Sequence, residues 1–416
     1  MKVLWVSNII PEDAAKKYGL KASPMGGWIM SMANELIKYY DLQLAIATTG
    51  SDKGLLSCAE NGIDFFILDG GLRRSEKIDS QWREIVDKWK PDIVHLQGTE
   101  FNFAEFLTEN SQKRYKKVVS IQGIVSEYAN YYTGYIKKTD IVRNLTCHDL
   151  LRQDIYQEQK EFEKRGVDEI RMLKKADIII GRTDWDKGVV NSLGCINAYR
   201  HCGENLRSVF YENEWSYQSC KPHSIFFSQA ASAIKGFHLI IPALCIVKRD
   251  YPDLLVRIAG VDVEAFSKSR FNFRRHGYYK YIHELLKKYD LLETVHFTGL
   301  LNEKQIIKEY LSANCFVQSS VIENSPNSLG EALLLGVPSV ASMVGGTANF
   351  IDHKKNGYLY PVEDYKTAAL YIEEIFCSKD RIVDMSSNER QKAQKFYDRQ
   401  TNSETMYRIY KELMRG

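Results

Sequence analysis

An α/β chain built as two parallel-sheet halves is what this sequence predicts, on three observations. Short apolar runs alternate with amphipathic helical stretches, the alternation stops and restarts after residue 220, and 416 residues suffice for two cores of ordinary size. In the first half the strand-like runs fall at residues 3–6, 42–47, 65–68, 93–96, 118–121 and 178–180, with helical patterns between most of them. Consecutive parallel strands need right-handed crossovers, so this half reads as Rossmann-like. The second half repeats the pattern with runs at 224–227, 254–259, 295–298, 315–318 and 338–341. A polar and aromatic stretch without a period, 211–217, separates the two. The expected division is therefore 1–216, 217–395 and a C-terminal helical segment 396–416.

Between the fifth and sixth runs of the first half lies a long Tyr- and charge-rich segment, 128–166, of the kind that carries binding function or lines a groove. Tyr128, Tyr131, Tyr132 and Tyr135 suit stacking on sugar faces or a membrane interface, and equally a helix hairpin packed on its own domain.

Composition removes several classes. With 56 basic against 53 acidic residues the net charge is +3, which gives no bulk electrostatic case for nucleic acid. The basic pairs Arg73-Arg74, Lys113-Arg114, Lys116-Lys117 and Lys137-Lys138 are candidates for anionic lipid head groups, with solvated surface charge as the alternative. Eight cysteines are scattered without Cys-x-x-Cys spacing or a histidine cluster, so metal and disulfide frameworks are unsupported. The expected compartment is the reducing cytosol. The first strand is too short for a signal-peptide core, and no run of about eighteen apolar residues spans a bilayer.

Chemistry concentrates in Ser319-Ser320-Val321-Ile322-Glu323-Asn324-Ser325-Pro326-Asn327-Ser328-Leu329-Gly330-Glu331. A buried strand at 315–318 ends in a loop of turn formers that opens a helix, where unpaired N–H groups and the helix dipole favour an anion such as a diphosphate. Glu331, about one turn in, has acceptor oxygens suited to vicinal ribose hydroxyls, and Glu323 stands at the strand's C-terminal edge, where open α/β sheets bind ligands. Ordinary helix capping by Ser, Asn and Glu is the competing reading. The continuation Gly336-Val337-Pro338-Ser339-Val340-Ala341-Ser342-Met343-Val344-Gly345-Gly346-Thr347 adds a strand closed by a Gly-Gly turn.

The whole stretch, 317–350, resembles the donor-site signature of family 4 (group 1) glycosyltransferases of GT-B fold, and Glu204-x-x-Arg207 with Phe210-Tyr211 resembles their bacterial polysaccharide-type subgroup. The resemblance implies two Rossmann-like domains facing across a cleft and a C-terminal helix crossing back to the first. It implies retaining transfer from a nucleoside-diphosphate sugar, UDP-linked by preference, to a hydroxyl of a glycan or lipid-linked acceptor. No metal or other cofactor is expected, and the protein would work in the cytoplasm, at the inner membrane face if the acceptor is lipid-linked. A nucleotide-sugar 2-epimerase of the same fold and a non-catalytic binding subunit are the alternatives.

By resemblance, Lys235 of Lys235-Gly236 and the loop residues Asn324, Ser325, Asn327, Ser328 and Leu329 hold the donor diphosphate, Glu331 the ribose, and Glu323 the sugar hydroxyls and the developing positive charge. Relatives carry an arginine five residues before that lysine; here it is Ala230, with Ser228 or Arg182 as candidate substitutes. Gly26 and Gly27 match the first domain's glycine loop, which starts at Pro24-Met25, and Gly260, Thr298 and Gly299 match positions around the nucleobase. His95, in Asp92-Ile93-Val94-His95, is a catalytic candidate, against a histidine satisfied inside the domain. Gln122 stands where many relatives have histidine, and since it cannot titrate it is left as an acceptor-hydroxyl partner.

Overall fold

The computed structural model describes residues 1–22, 26–109, 115–151, 154–263 and 276–415. Pro24-Met25 of the glycine loop and the pair Lys113-Arg114 lie outside the described residues. The chain forms two compact units, each with its own sheet.

The first unit comprises Met1–Glu127, Glu163–Arg207 and Tyr397–Gly416. Its strands are β1 (Lys2–Val6), β2 (Gln43–Ser51), β3 (Leu56–Glu60), β4 (Ile63–Asp69), β5 (Ile93–Gln97), β6 (Lys116–Ser120), β7 (Ile178–Gly181) and β8 (Tyr199–His201). They lie in the order β3-β4-β2-β1-β5-β6-β7-β8, parallel except for β3 against β4. Central strands such as β5 are buried on both faces, as their unbroken apolar runs require. Two cores follow, one on each side of the sheet, around Trp82, Val94 and Val119 and around Trp5, Ile29 and Phe65. The helix Arg399–Arg415 closes the second of these: Trp5 donates its indole N–H to Tyr410 Oη at 2.9 Å.

The antiparallel β3 escaped the sequence reading, although its signal is plain in Asn61-Gly62. Both residues have positive φ, 51° and 79°, the two-residue type I′ turn that joins hairpin strands. The alternating exposure of β3 marks it as an edge strand, without the long apolar run that identified its neighbours.

The second unit comprises Tyr128–Phe162 and Ser208–Phe396. Its all-parallel sheet runs β11-β10-β9-β12-β13-β14, with β9 (Ser224–Phe227), β10 (Leu255–Ala259), β11 (Val295–Gly299), β12 (Cys315–Gln318), β13 (Ser339–Ser342) and β14 (Tyr358–Tyr360). Strand order reverses between β9 and β12, which makes the C-terminal ends of those two strands the switch point where open sheets bind ligands.

Two boundaries differ from those expected. The second unit begins at Ser208 rather than 217, because Trp215 is already locked into it through N–H to Leu335 O (2.9 Å) and Nε1–H to Ala313 O (2.7 Å). The Tyr-rich segment, expected within the first domain, is also part of this unit. Gly134 takes left-handed backbone, at φ +61°, and lies so close that an added Cβ would sit 2.4 Å from Ala233 O. Its carbonyl accepts from His238 Nε2 at 2.6 Å, and Gly277 N–H donates to Asp149 Oδ1 at 3.1 Å.

Candidate functional site

At the second unit's switch point the loop after β9 and the loop after β12 meet. The first ends in a short 3-10 turn, Ala233–Lys235, terminated by Gly236 at φ +64°. A Cβ at Gly236 would fall 2.0 Å from Ser319 O, so only glycine lets the two loops touch. Ser319 Oγ donates to Lys235 O (2.9 Å), and Val321 N–H donates to Ile234 O (2.8 Å). These bonds bring Lys235 Nζ within 2.6 Å of Glu323 Oε1, which also accepts from Ser320 Oγ at 2.8 Å. The pair sits at the rim, with the Lys235 side chain 24% and the Glu323 side chain 10% exposed, so the ammonium keeps room for a ligand.

A third strand end holds the same loop. Gly345, at φ +48°, packs its α-carbon under Glu323 O, where a Cβ would be 2.0 Å away, and Gly346 N–H donates to that carbonyl at 2.9 Å. The expected Gly-Gly turn after β13 therefore clamps the backbone of Glu323.

The helix Asn327–Leu335 follows, with Pro326 at its N-cap and no side-chain cap. Proline there supplies no hydroxyl or carboxylate to quench the first N–H groups, which leaves the positive end of the helix available to an anion. Ser325 Oγ and Asn327 Oδ1 are buried and lack a hydrogen-bond partner among the described residues. Orphaned polar atoms beside an uncapped helix start are costly unless a ligand completes them. Glu331 is 6% exposed, and Tyr310 Oη lies 3.3 Å from its Oε2 and donates to Ser328 O at 2.9 Å. Tyr310 thus ties the carboxylate to the first turn. It comes from the helix Glu303–Ser312, set by an Asn302/Gln305 capping box, and sequence reasoning missed it because a helix–helix contact leaves no local signature.

Asn324 N–H donates to Tyr128 Oη at 2.9 Å, so the Tyr-rich segment reaches this loop. At the neighbouring strand ends, Gly260 N–H donates to Gly299 O (3.0 Å), and Thr298 Oγ1 is taken up by Ile258 O (3.3 Å) and Gly299 O (3.2 Å). Ser228 follows β9 and is half-buried, whereas Ala230 is buried at 1% exposed.

The remaining expected residues belong to the first unit. Gly26 and Gly27 open the helix Gly27–Tyr39, and the stem of Arg207 fills the space beside Gly27. His95 is corrected from catalytic candidate to core residue. It is fully buried, its Nδ1 lies 2.6 Å from Tyr410 Oη, its Nε2 lies 2.7 Å from Ser120 Oγ, and burial pushes its pKa down to about 3. No ring nitrogen is left for a substrate. Arg182 is 4% exposed and committed to Glu204 Oε2 and Ile121 O, so its phosphate role is replaced by an internal ion pair. Gln122 Nε2 donates to the other oxygen of Glu204 at 3.3 Å, and all three residues line a pocket with Trp28 and Gln97.

Comparison with known proteins bears on this geometry. Residues 213–392 match the family described as glycosyl transferases group 1, which covers the loops just described. Spore coat protein SA of Bacillus subtilis is 25% identical over 192 residues, 45% of this chain and 48% of that relative, so the match spans about half the relative's length. Among solved structures, sucrose-phosphate synthase from Thermosynechococcus elongatus superposes with a TM-score of 0.74 at 15% identity, covering 100% of this chain and 99% of that one. Anabaena HepE in complex with UDP gives 0.67 at 13% identity, covering 99% and 100%. At such identities these neighbours establish the fold. Residues 213–392 are thus similar to the group 1 glycosyl transferases, and the chain as a whole has the GT-B fold of these neighbours.

Proposed function

We propose that this protein transfers a sugar from a UDP-sugar to a hydroxyl of a glycan or lipid-linked acceptor, with retention of anomeric configuration and without a metal ion. The observation that carries the proposal is the Lys235–Glu323 pair, 2.6 Å apart, beside an uncapped helix N-terminus with unpartnered Ser325 Oγ and Asn327 Oδ1. A nucleoside-diphosphate sugar supplies what this loop lacks: phosphate oxygens that accept from the helix N–H groups, Lys235 and Ser325 Oγ, and sugar hydroxyls that can donate to Asn327 Oδ1. HepE, of the same fold, was solved with UDP, which supports uracil as the base.

Breaking the anomeric C–O bond leaves charge on the departing diphosphate, and Lys235 with the helix N-terminus stabilises it without reorganisation. The sugar ring gains positive charge in the same step. Glu323, fixed by Ser320 and by its clamped backbone, faces that charge and binds sugar hydroxyls. Glu331, anchored by Tyr310, takes the ribose. Polysaccharide assembly at the cytoplasmic membrane face fits a lipid-linked acceptor, and among the described residues no helix is long and apolar enough to cross a membrane.

The test is a nucleotide panel followed by turnover. UDP should raise the melting temperature of the wild type and not of Glu331→Ala. Glu323→Gln should keep UDP binding and lose acceptor-dependent UDP release by at least about 100-fold, the scale of one transition-state electrostatic contact. Proton NMR of the product gives the anomer. Sugar conversion without acceptor would favour an epimerase, and a Glu323→Gln protein as active as wild type would overturn the assignment.

A further inference from the structure

The fold brings together three metal-ligating side chains that sequence spacing kept apart. His148 and Asp149 lie on the helix Cys147–Leu151 of the Tyr-rich segment, and His276 caps the helix Gly277–Lys288 in the same unit. One donor atom from each lies within 4.8 Å of the other two. Nδ1 of His148 and Nδ1 of His276 are each 3.8 Å from Asp149 Oδ1. We infer that His148, Asp149 and His276 form a binding site for a divalent transition cation of the zinc class, which fastens the Tyr-rich segment to the second unit.

Four observations carry this. Nδ1 of His148 is buried and makes no hydrogen bond among the described residues, although it faces a carboxylate. A bare imidazole nitrogen in that position either carries a wasted lone pair or accepts a cation. His276 points Nε2 to Glu158 Oε1 at 3.4 Å, which keeps the proton there, and its Nδ1 lone pair is engaged only by a long 3.4 Å contact from the Tyr278 N–H, which a cation would displace. That outer carboxylate is the usual partner of a ligating histidine. Glu158 is itself fixed by Tyr132 Oη at 3.1 Å.

Asp149 is preorganised in the same way. Its Oδ2 accepts from Thr146 N and Oγ1, both at 2.8 Å, and Oδ1 accepts one N–H from Gly277 and keeps a lone pair toward the two rings. Gly277 permits this approach, since a Cβ there would sit 2.7 Å from Asp149 Oδ2. Three donors at these separations are equidistant from a point roughly 2.2–2.8 Å away, so inward movement of a few tenths of an ångström reaches zinc bond lengths. Charge closes as well, because Asp149 and Glu158 together balance a dication. Two imidazoles and a carboxylate suit zinc and disfavour magnesium or calcium, which prefer oxygen cages, and solvent takes the fourth position.

The site is separate from the Lys235–Glu323 pair, and it would hold the far end of the segment whose near end, Tyr128, touches Asn324. The proposal does not depend on the transferase reading.

The full chain, stripped with a chelator and dialysed, is titrated with zinc chloride against a chromophoric competitor. One equivalent per chain is expected, with zinc slowing proteolysis of residues 128–162. His148→Ala is the cleaner variant, because that ring supports no cap, and it should abolish stoichiometric binding, as should His276→Ala. Glu158→Gln should weaken binding by about 10–100-fold. Cobalt substitution should give visible bands of a nitrogen–oxygen site. A wild-type chain that retains no zinc, nickel or cobalt, or a His148→Ala chain that binds like wild type, would overturn the proposal. A strong thiolate-to-cobalt band would overturn the donor set in favour of neighbouring Cys147.

Discussion

Gly134→Ala tests how the Tyr-rich segment is held, and its cost can be worked from two local facts. Gly134 has φ +61°, where a residue with a Cβ loses roughly 1–2 kcal/mol. The new methyl would also stand 2.4 Å from the backbone oxygen of Ala233 and 2.9 Å from Cε1 of the His238 ring, which is buried and held by Gly134 O and Tyr278 Oη. The segment must therefore retreat and break the His238 Nε2–H to Gly134 O bond. His238 is 5% exposed, so its donor is left dry, which costs a further ~1–3 kcal/mol. The sum is about 2–5 kcal/mol. Hydrogen exchange of residues 128–162 is the assay, since it reads local opening in that segment apart from global unfolding. Gly194→Ala, read by hydrogen exchange of its own neighbours at 190–198, is the control: it has φ +74° with nothing near its added Cβ, so it isolates the backbone term of roughly 1–2 kcal/mol. Equal effects of the two substitutions, or unchanged protection of 128–162 in Gly134→Ala, would refute the docking argument.

Gly345→Ala, clashing with Glu323 O, should move the Glu323 carboxylate by about 1 Å and, on the proposed role of that group, cut kcat/KM by ~100-fold, with UDP binding changed far less in calorimetry. His95→Gln should lower the melting temperature while kcat stays within a few-fold of wild type, because the ring's partners are Tyr410 and Ser120 rather than substrate; a drop of ~100-fold in kcat would restore a catalytic role. Glu169 is 1% exposed and accepts from Thr99 Oγ1, Val125 N, Ser126 N and Ser126 Oγ, yet burial outweighs these bonds and pushes its pKa up to about 7 from 4.5. Between those two values the unfolded chain has released a proton that the folded chain keeps, so stability falls as pH rises through the window, by up to about 3 kcal/mol. Denaturant unfolding across pH 4 to 8 should show that slope in wild type and lose it in Glu169→Gln.

The elements legible from sequence were those whose physics is local. Buried parallel strands announce themselves as unbroken apolar runs, and the second unit's switch point was readable because β12, its loop and its helix are contiguous. Lys235 and Glu323 were both singled out, but nothing in the sequence says that they bond to each other. That contact depends on Gly236 letting a carbonyl 83 positions away approach, which only the folded chain displays. His95 misled for the complementary reason: a strand-end histidine reads the same whether it faces ligand or core, and here a tyrosine from the last helix, 315 residues on, decides the matter.

The Tyr-rich segment marks the limit of such reading most clearly. Its tyrosines were noticed, and the contacts that hold the segment were not, because three of them join it to distant parts of the chain. Tyr128 meets Asn324, Gly134 meets His238, and Asp149 meets Gly277. All three partners lie in one unit, in the loop after β12 beside Glu323, at the start of the helix after Gly236, and at the start of the helix Gly277–Lys288. The first and second of these flank Lys235 and Glu323 directly, so loosening the segment should be felt at the donor loop before it is felt in the sheet. In Gly134→Ala, KM for the donor should rise with kcat less affected. A fall in kcat at unchanged KM would instead place the segment's role in the chemical step.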